Sequence, residues 1–216
     1  GGLASLEATM RLAILILLFS LPAQAYLSLM TDGEVLPKGE QSLGAESQFV
    51  FNKNDGINFA GRYNLGLSES LEFLGDIGTG ATDFSAGGNI KFVPYPAYEG
   101  QPAIGFIFGA TFANEEDNDF VVAQFKSFVS KRFDFDYGQI SPYGALAYGV
   151  TLTNEEDAEN PFQFIIGSKY KHFEWEDVYL YGELGTSLDE AFNYVSFQIV
   201  FLLDTKLSSP LDQYYD

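Results

Sequence analysis

The sequence predicts an all-β protein, an antiparallel up-and-down transmembrane β-barrel of about ten strands, with eight strands also compatible. Apolar and polar residues alternate with a period of two in short segments, which is the periodicity of a β-strand. Turn-forming residues such as Asn54-Asp55-Gly56 separate these segments. After residue 25 no stretch keeps a helical period or reaches about 18 consecutive apolar residues, so only a closed barrel could cross a bilayer.

The predicted strands follow one another between residues 42 and 203. The first segment, 42–52, places Phe49 and Phe51 on one face and Glu46 and Gln48 on the other. The same alternation recurs in nine later segments: 57–67, 71–81, 88–93, 103–112, 121–132, 142–152, 162–171, 178–188 and 195–203. Most have the length of about 9–11 residues that a tilted membrane strand needs. The 21 Phe and 13 Tyr favour strands, because aromatic side chains pack well on a pleated surface.

Composition excludes several classes of function. The chain has 30 Asp plus Glu against 11 Lys plus Arg, a formal charge of −19, and therefore lacks the basic surface that nucleic-acid binding requires. Without cysteine, disulfides and thiolate metal sites are excluded. A content of 46% hydrophobic residues distinguishes the chain from acidic disordered proteins.

The N-terminal region has the three parts of a secretory signal peptide. Met10-Arg11 precedes a short aliphatic run, which ends at Ala23-Gln24-Ala25. We interpret residues 10–25 as this signal, with the mature chain starting at Tyr26, and residues 1–9 as an upstream, non-native start. The remaining divisions are an N-terminal periplasmic segment, the barrel and a C-terminal tail, at 26–41, 42–203 and 204–216.

The polar faces of the strands indicate an inside-out barrel. They carry Gly, Ala, Ser, Asn and Gln with a few charges of both signs, whereas a water-facing surface would carry many more Lys and Glu. The apolar faces carry large aromatic residues, which suit lipid and its interfaces. The charged residues predicted to face the interior are Glu46, Arg62, Glu72, Asp76, Lys91, Lys126, Arg132, Lys169, Lys171 and Glu183.

The last predicted strand carries a resemblance to known proteins. Tyr194-Val195-Ser196-Phe197-Gln198-Ile199-Val200-Phe201 looks like the C-terminal assembly signal of bacterial outer-membrane barrels, although 15 residues follow Phe201. In pattern, residues 42–203 resemble small single-chain barrels of the OmpA/OmpW type. The resemblance implies the outer membrane of a Gram-negative bacterium, with both chain ends in the periplasm. It also implies outer-membrane lipids and the barrel-assembly machinery as partners; oligomeric state stays open.

Two joins that the resemblance places outside the cell are acidic. Both contain Asn-Glu-Glu-Asp, and their carboxylates are weak candidates for a divalent cation: Glu115, Glu116, Asp117, Glu155, Glu156 and Asp157. No Asp-x-Asp-x-Asp-Gly loop is present, so a solvated, self-repelling loop is the favoured interpretation. We therefore expect no cofactor.

The sequence favours a protein without catalytic activity. His172 is the single histidine, and neither a Gly-x-Ser-x-Gly element nor a phosphate loop occurs; nearby Ser168 does not complete a triad. The leading hypothesis is a structural or surface-interaction role with an interior filled by polar and charged side chains. A narrow channel for ions or small solutes is the alternative. A secreted, soluble ligand-binding β-barrel is a further one.

Overall fold

The computed structural model describes residues 28–52, 55–81, 83–97, 100–115, 118–152 and 160–203. These ranges form eleven β-strands: β1 (Gln41–Phe51), β2 (Gly56–Gly66), β3 (Leu71–Gly80), β4 (Phe84–Tyr95), β5 (Ala103–Glu115), β6 (Asn118–Ser130), β7 (Phe133–Phe135), β8 (Gly138–Leu152), β9 (Phe162–His172), β10 (Val178–Asp189) and β11 (Asn193–Leu203). No helix of the described chain is long and apolar enough to cross a membrane. The predicted signal peptide and the tail 204–216 lie outside the described residues.

Ten of these strands close into a barrel. Neighbours along the chain pair antiparallel, β1 pairs with β11 from Gln41↔Leu203 to Phe51↔Asn193, and β6 pairs directly with β8. The three-residue β7 pairs only with the start of β8 and is an addition at the rim. The predicted all-β fold of about ten strands is confirmed, and β1 begins at Gln41, one residue before the predicted boundary.

The two ends of the barrel carry different connections. We call the end where β1 begins and β11 ends the proximal end, and the opposite end the distal end. Because neighbouring strands are antiparallel, the joins β2–β3, β4–β5, β6–β8 and β9–β10 lie at the proximal end. The remaining joins, including the two acidic ones, lie at the distal end. The acidic joins therefore share one end of the barrel, as the strand alternation predicts.

The barrel is apolar outside, and its interior contains many polar and charged side chains together with apolar ones. Phe59, Ile77 and Phe197 face outwards and are 57%, 56% and 56% exposed, whereas Gln48 and Gln163 face inwards and are fully buried. A soluble barrel has the opposite arrangement, since it buries its apolar face. An apolar exterior around a polar interior is the arrangement of a barrel that crosses a membrane.

Aromatic rings also fill part of the interior, and glycines on adjacent strands make room for them. A Cβ on Gly105 would lie 2.3 Å from the Phe128 ring, and one on Gly185 would lie 2.0 Å from the Tyr194 ring. Both distances are below van der Waals contact, so no larger residue fits beside either ring. These glycines allow the close approach of a ring, which is one use of glycine within strands.

The chain segment before β1 lies inside the barrel. Residues 28–33 are buried, and the chain leaves through the proximal mouth by an exposed turn at Pro37–Glu40. In this turn Gly39 has a φ of 86° and donates its N–H to the carbonyl oxygen of Gly66 at 2.8 Å. We call residues 28–36 the lumen segment. Its position differs from the expectation that residues 26–41 lie outside the barrel; residues 26 and 27 are not among the described residues.

The outward apolar face gives a test of membrane insertion. Phe197 lies midway along β11, and Leu203 ends the same strand on the same face. We expect Phe197→Arg to reduce the free energy of unfolding by about 2–4 kcal/mol in vesicles, and Leu203→Arg by about 0–1 kcal/mol, because the cost of a lipid-facing arginine depends on depth. Denaturant titration of both variants in phospholipid vesicles measures this difference. Equal losses at the two positions would contradict a lipid-facing strand.

Candidate functional site

The interior contains most of the charged residues that the sequence assigned to it. Seven of them are buried on the lumen side of their strands: Glu46, Arg62, Glu72, Lys91, Lys126, Lys169 and Glu183. Asp76 is half-buried at the position that pairs with Arg62 on the neighbouring strand. Lys171 is half-buried and lines a cleft of about 150 Å³ at the proximal mouth. The charged side chains therefore lie in the part of the lumen between the middle of the barrel and its proximal end.

Arg132 is the exception, because β6 ends before it. The strand stops at Ser130, so the two-residue alternation no longer directs the side chain at 132 into the barrel. Arg132 lies at the proximal rim, half-exposed, 3.4 Å from Glu34 and 3.5 Å from Asp134. The prediction of an interior position for Arg132 is wrong, although its contact with Glu34 links it to the lumen segment.

Glu183 holds the inner end of the lumen segment. Its Oε1 accepts the backbone N–H of Leu29 at 2.9 Å and its Oε2 that of Met30 at 2.8 Å. The Tyr194 hydroxyl donates to Oε1 at 2.5 Å, and the Tyr143 hydroxyl donates to Oε2 at 2.6 Å. Each carboxylate oxygen thus accepts one backbone and one phenolic hydrogen, which satisfies a charge that is costly to bury alone.

Ser28 lies near the middle of the barrel between two basic side chains. Arg62 donates one hydrogen bond to its hydroxyl and another to Glu46 Oε2 at 2.7 Å. The Lys126 ammonium donates to the Ser28 carbonyl oxygen at 2.9 Å. Glu46 also accepts the Ser196 hydroxyl at 2.5 Å, so both of its oxygens are occupied. Backbone and side-chain oxygens of the segment therefore serve as partners for interior cations.

Closer to the proximal mouth, two lysines bind the segment. Lys91 donates to Glu72 and to the Thr31 hydroxyl, both at 2.9 Å, and also to the Glu34 carbonyl oxygen. Lys169 binds both acidic side chains of the segment, Asp32 at 3.2 Å and Glu34. Removing either lysine charge would leave buried oxygens without their ionic partner.

Gly33 lies directly against the barrel wall. Its N–H donates to the Ser130 hydroxyl at 2.8 Å. A Cβ at this position would lie 2.2 Å from the Cβ of Ala103 and 2.7 Å from the Ser130 hydroxyl oxygen. A glycine is thus required between Asp32 and Glu34 if the segment is to keep this contact.

Glu34 has an altered acidity. Burial by itself would raise the pKa of this carboxyl, but the Lys169 ammonium and the Arg132 guanidinium outweigh burial and hold its pKa below the usual value. The carboxylate form is therefore favoured in the folded protein, where it attracts the Lys169 ammonium and the Arg132 guanidinium.

The distal half of the interior contains uncharged amides. Asn58 donates to Gln48 at 3.0 Å, and Gln163 donates to the Phe192 carbonyl oxygen at 2.6 Å. Within the described ranges, one amide atom of each of the following buried side chains has no hydrogen-bond partner: Gln48, Asn89, Gln124, Gln163 and Gln198. Buried amides with a free atom are typical sites for internal water.

The structure describes His172 but not the acidic side chains of the two joins. The side chains of Glu115, Glu116, Asp117, Glu155, Glu156 and Asp157 lie outside the described part of the chain, and the rest contains no cluster of three metal-binding side chains. The His172 Nδ1 accepts the N–H of Glu174 at 3.2 Å. Ser168 is four residues away along the strand, about 13 Å, and beyond hydrogen-bond reach.

Comparison with known proteins supplies no family. No protein-family model and no curated protein matches the sequence. A de novo designed transmembrane β-barrel is 12% identical over 79% of this chain and 99% of its own, with a TM-score of 0.41. An outer membrane channel from Pseudomonas putida F1 is 10% identical over 82% of this chain and 100% of its own, with a TM-score of 0.49. The barrel fold therefore rests on the strand pairing described above.

Glu183→Gln tests the anchor of the lumen segment. An amide nitrogen cannot accept the backbone N–H that now donates to one carboxylate oxygen, so we expect a loss on the order of 1–3 kcal/mol per buried donor left unsatisfied. Denaturant titration in micelles measures the loss, and Glu176→Gln, at an exposed acid of the β9–β10 join, is the matched control. Equal stability of the two variants would show that Glu183 does not anchor the segment.

Acid should weaken the proximal anchor through Glu34. Because the pKa of Glu34 is lower in the folded protein, its contribution is complete above the pKa of the unfolded chain, about 4.3, and is lost as pH falls through the folded value. We expect the wild type to be more stable than Glu34→Gln at pH 6, with the difference vanishing in stronger acid. Urea titrations of both proteins between pH 7 and pH 3 measure this; a pH-independent difference would contradict it.

Proposed function

We propose that the protein is a closed outer-membrane β-barrel with a structural or surface-interaction role and no catalytic activity. The observation that carries this proposal is the lumen segment, which occupies the proximal half of the interior and binds its charged side chains. A barrel of eight to ten strands is narrow, and open diffusion pores use about sixteen. A chain segment inside so narrow a barrel opposes free passage of solutes.

The outer membrane is the location that the chain's features support best. A barrel with an apolar exterior, a signal-like N-terminus and a final strand that carries the alternating pattern up to Phe201 fits export followed by insertion by the barrel-assembly machinery. Outer-membrane lipids are then the partners of the exposed apolar face. The first strand begins and the last strand ends at the proximal end, so this end would face the periplasm. The acidic joins would then face the exterior, as in the OmpA/OmpW-type barrels that the sequence resembles. Those joins would act as solvated loops.

A narrow, gated channel is the second candidate. The contacts described for the lumen segment run to side chains of the wall, whereas the strands are joined by continuous ladders. Side-chain contacts of this kind can be exchanged for water without opening the sheet. If the segment left the lumen, the amides of the distal half would line a polar path.

Conductance separates the two candidates. We expect the full-length chain, inserted in planar bilayers at neutral pH, to show no steady single-channel current, because the lumen segment and the side chains around it close the interior. Asp32→Asn/Glu34→Gln weakens the proximal contacts and is the comparison variant; Asp134→Asn, at the exposed rim, is its control.

The outcome of that comparison decides the role of the segment. Silence in all three proteins supports the closed barrel. Brief openings that appear only in the Asp32→Asn/Glu34→Gln variant would favour the gated channel. A steady current through the wild type would contradict closure altogether.

A further inference from the structure

The geometry points to a peptide-binding site inside the barrel. We propose that the proximal half of the lumen is a receptor for an acidic peptide with the pattern acidic–glycine–acidic, bound in the bent conformation of the lumen segment, and that this segment is its tethered occupant. The site would accept the same pattern from a separate chain when the protein's own segment is displaced. This proposal concerns recognition by the wall and is independent of whether the barrel conducts.

Basic side chains of the wall form salt bridges with the two acidic residues of the segment. Lys169 contacts both Asp32 and Glu34 from one side, and Arg132 contacts Glu34 at the rim. Lys169 is itself almost fully buried and lies 5.1 Å from the centre of the Tyr179 ring, which fixes its ammonium in place. The chain bends at Gly33, and the Asp32 Oδ1 accepts the Glu34 N–H at 3.3 Å. In this bent conformation both carboxylates meet the same lysine.

The wall also contacts the backbone of the segment and Gly33, the residue between the two acids. Glu183 accepts the N–H groups of Leu29 and Met30, and Lys126 donates to the Ser28 carbonyl oxygen. These contacts recognise the main chain in one conformation, because Met30 has a φ of 42° and adjacent N–H groups converge on one carboxylate. The narrow space at Gly33, 2.2 Å from Ala103 for an added Cβ, excludes side chains at the central position. Backbone contacts would provide affinity, and the charges and the glycine would provide selectivity.

An exposed turn joins the lumen segment to β1, and the segment can be cut from the barrel at this turn. Pro37, Lys38, Gly39 and Glu40 are exposed outside the proximal mouth. A cut between Lys38 and Gly39 leaves every strand of the barrel covalently intact. Beside the segment, the cleft of about 150 Å³ opens towards this turn. The described structure therefore offers a route by which a peptide can enter or leave.

The experiment uses the full chain with a site-specific protease sequence inserted between Lys38 and Gly39. The protein is folded, cut and freed of the released segment in micelles, and its barrel is checked by heat-modifiable gel migration. A fluorescent peptide with the sequence of residues 28–37 is then titrated in, with anisotropy as the readout. We expect saturable binding that the unlabelled peptide competes.

Variant peptides test which residues of the peptide the wall recognises. The Asp32→Asn/Glu34→Gln peptide and the Gly33→Ala peptide should each bind at least about tenfold more weakly, because each loses charge-assisted bonds or the close wall contact. The Pro37→Ala peptide, changed at an exposed position, should bind like the wild type. In the barrel, Lys169→Met should remove most of the discrimination against the neutral peptide.

Several results would overturn the proposal. They are binding that is insensitive to the two acidic residues, failure of the segment to exchange after cutting, or collapse of the cut barrel, which would make the segment a permanent part of the fold. Free succinate should compete only weakly. If it competes as well as the peptide, the site binds small dicarboxylates and the peptide class is wrong.

Discussion

The need to provide partners for buried cations shapes the whole interior of this barrel. Lys91, Lys126 and Lys169 lie within a sheet that is closed on every side and surrounded by apolar surface. A buried ammonium without partners loses several kcal/mol of hydration, so each must find oxygens inside the barrel. Glu72 supplies one partner for Lys91, but the oxygens hydrogen-bonded to Lys126 and Lys169 come from the lumen segment. The segment is thus a component of the interior electrostatics.

Barrel size explains why a chain segment is needed at all. Eight strands enclose a space that side chains alone can fill, and the diameter grows with each added strand. Ten strands leave room for more, and here large rings take part of it: Phe128, Tyr143, Tyr181 and Tyr194 point inwards. The lumen segment fills much of the proximal half, where its N–H groups at Leu29 and Met30 meet Glu183. Side-chain volume and chain volume together occupy this half of the interior.

The sequence predicted the barrel well because a strand's period of two is a local property. Every strand that carries an alternating pattern exposes its apolar face, and the interior positions of Glu46, Arg62 and Glu183 follow directly from that alternation. The alternation fails at Arg132 because the strand has already ended, and strand ends depend on pairing with distant residues.

The lumen segment was not predicted, because its contacts are long-range and its own sequence has no period. Leu29 and Met30 bond to Glu183 more than 150 positions away, and no local pattern encodes such a contact. One signal was present: the predicted interior had a surplus of basic over acidic residues, in a chain whose formal charge is −19. Such a surplus requires acidic partners from elsewhere in the chain. Asp32 and Glu34, in the stretch directly before the first strand, are near enough in sequence to reach the lumen.

The division of the interior into two halves limits how the barrel could open. In the proximal half the segment is held by the packing of Leu29 and Met30 in a buried apolar cluster and by hydrogen bonds to charged groups, each with a net value of about 1.5–3 kcal/mol. Those bonds lie on several strands, from Arg62 on β2 to Glu183 on β10, so the segment must release many of them together before it can leave. In the distal half the amides are uncharged and some of their atoms are already unpaired, so that half is ready to hold water. Release of the lumen segment therefore requires a ligand that competes for the same lysines.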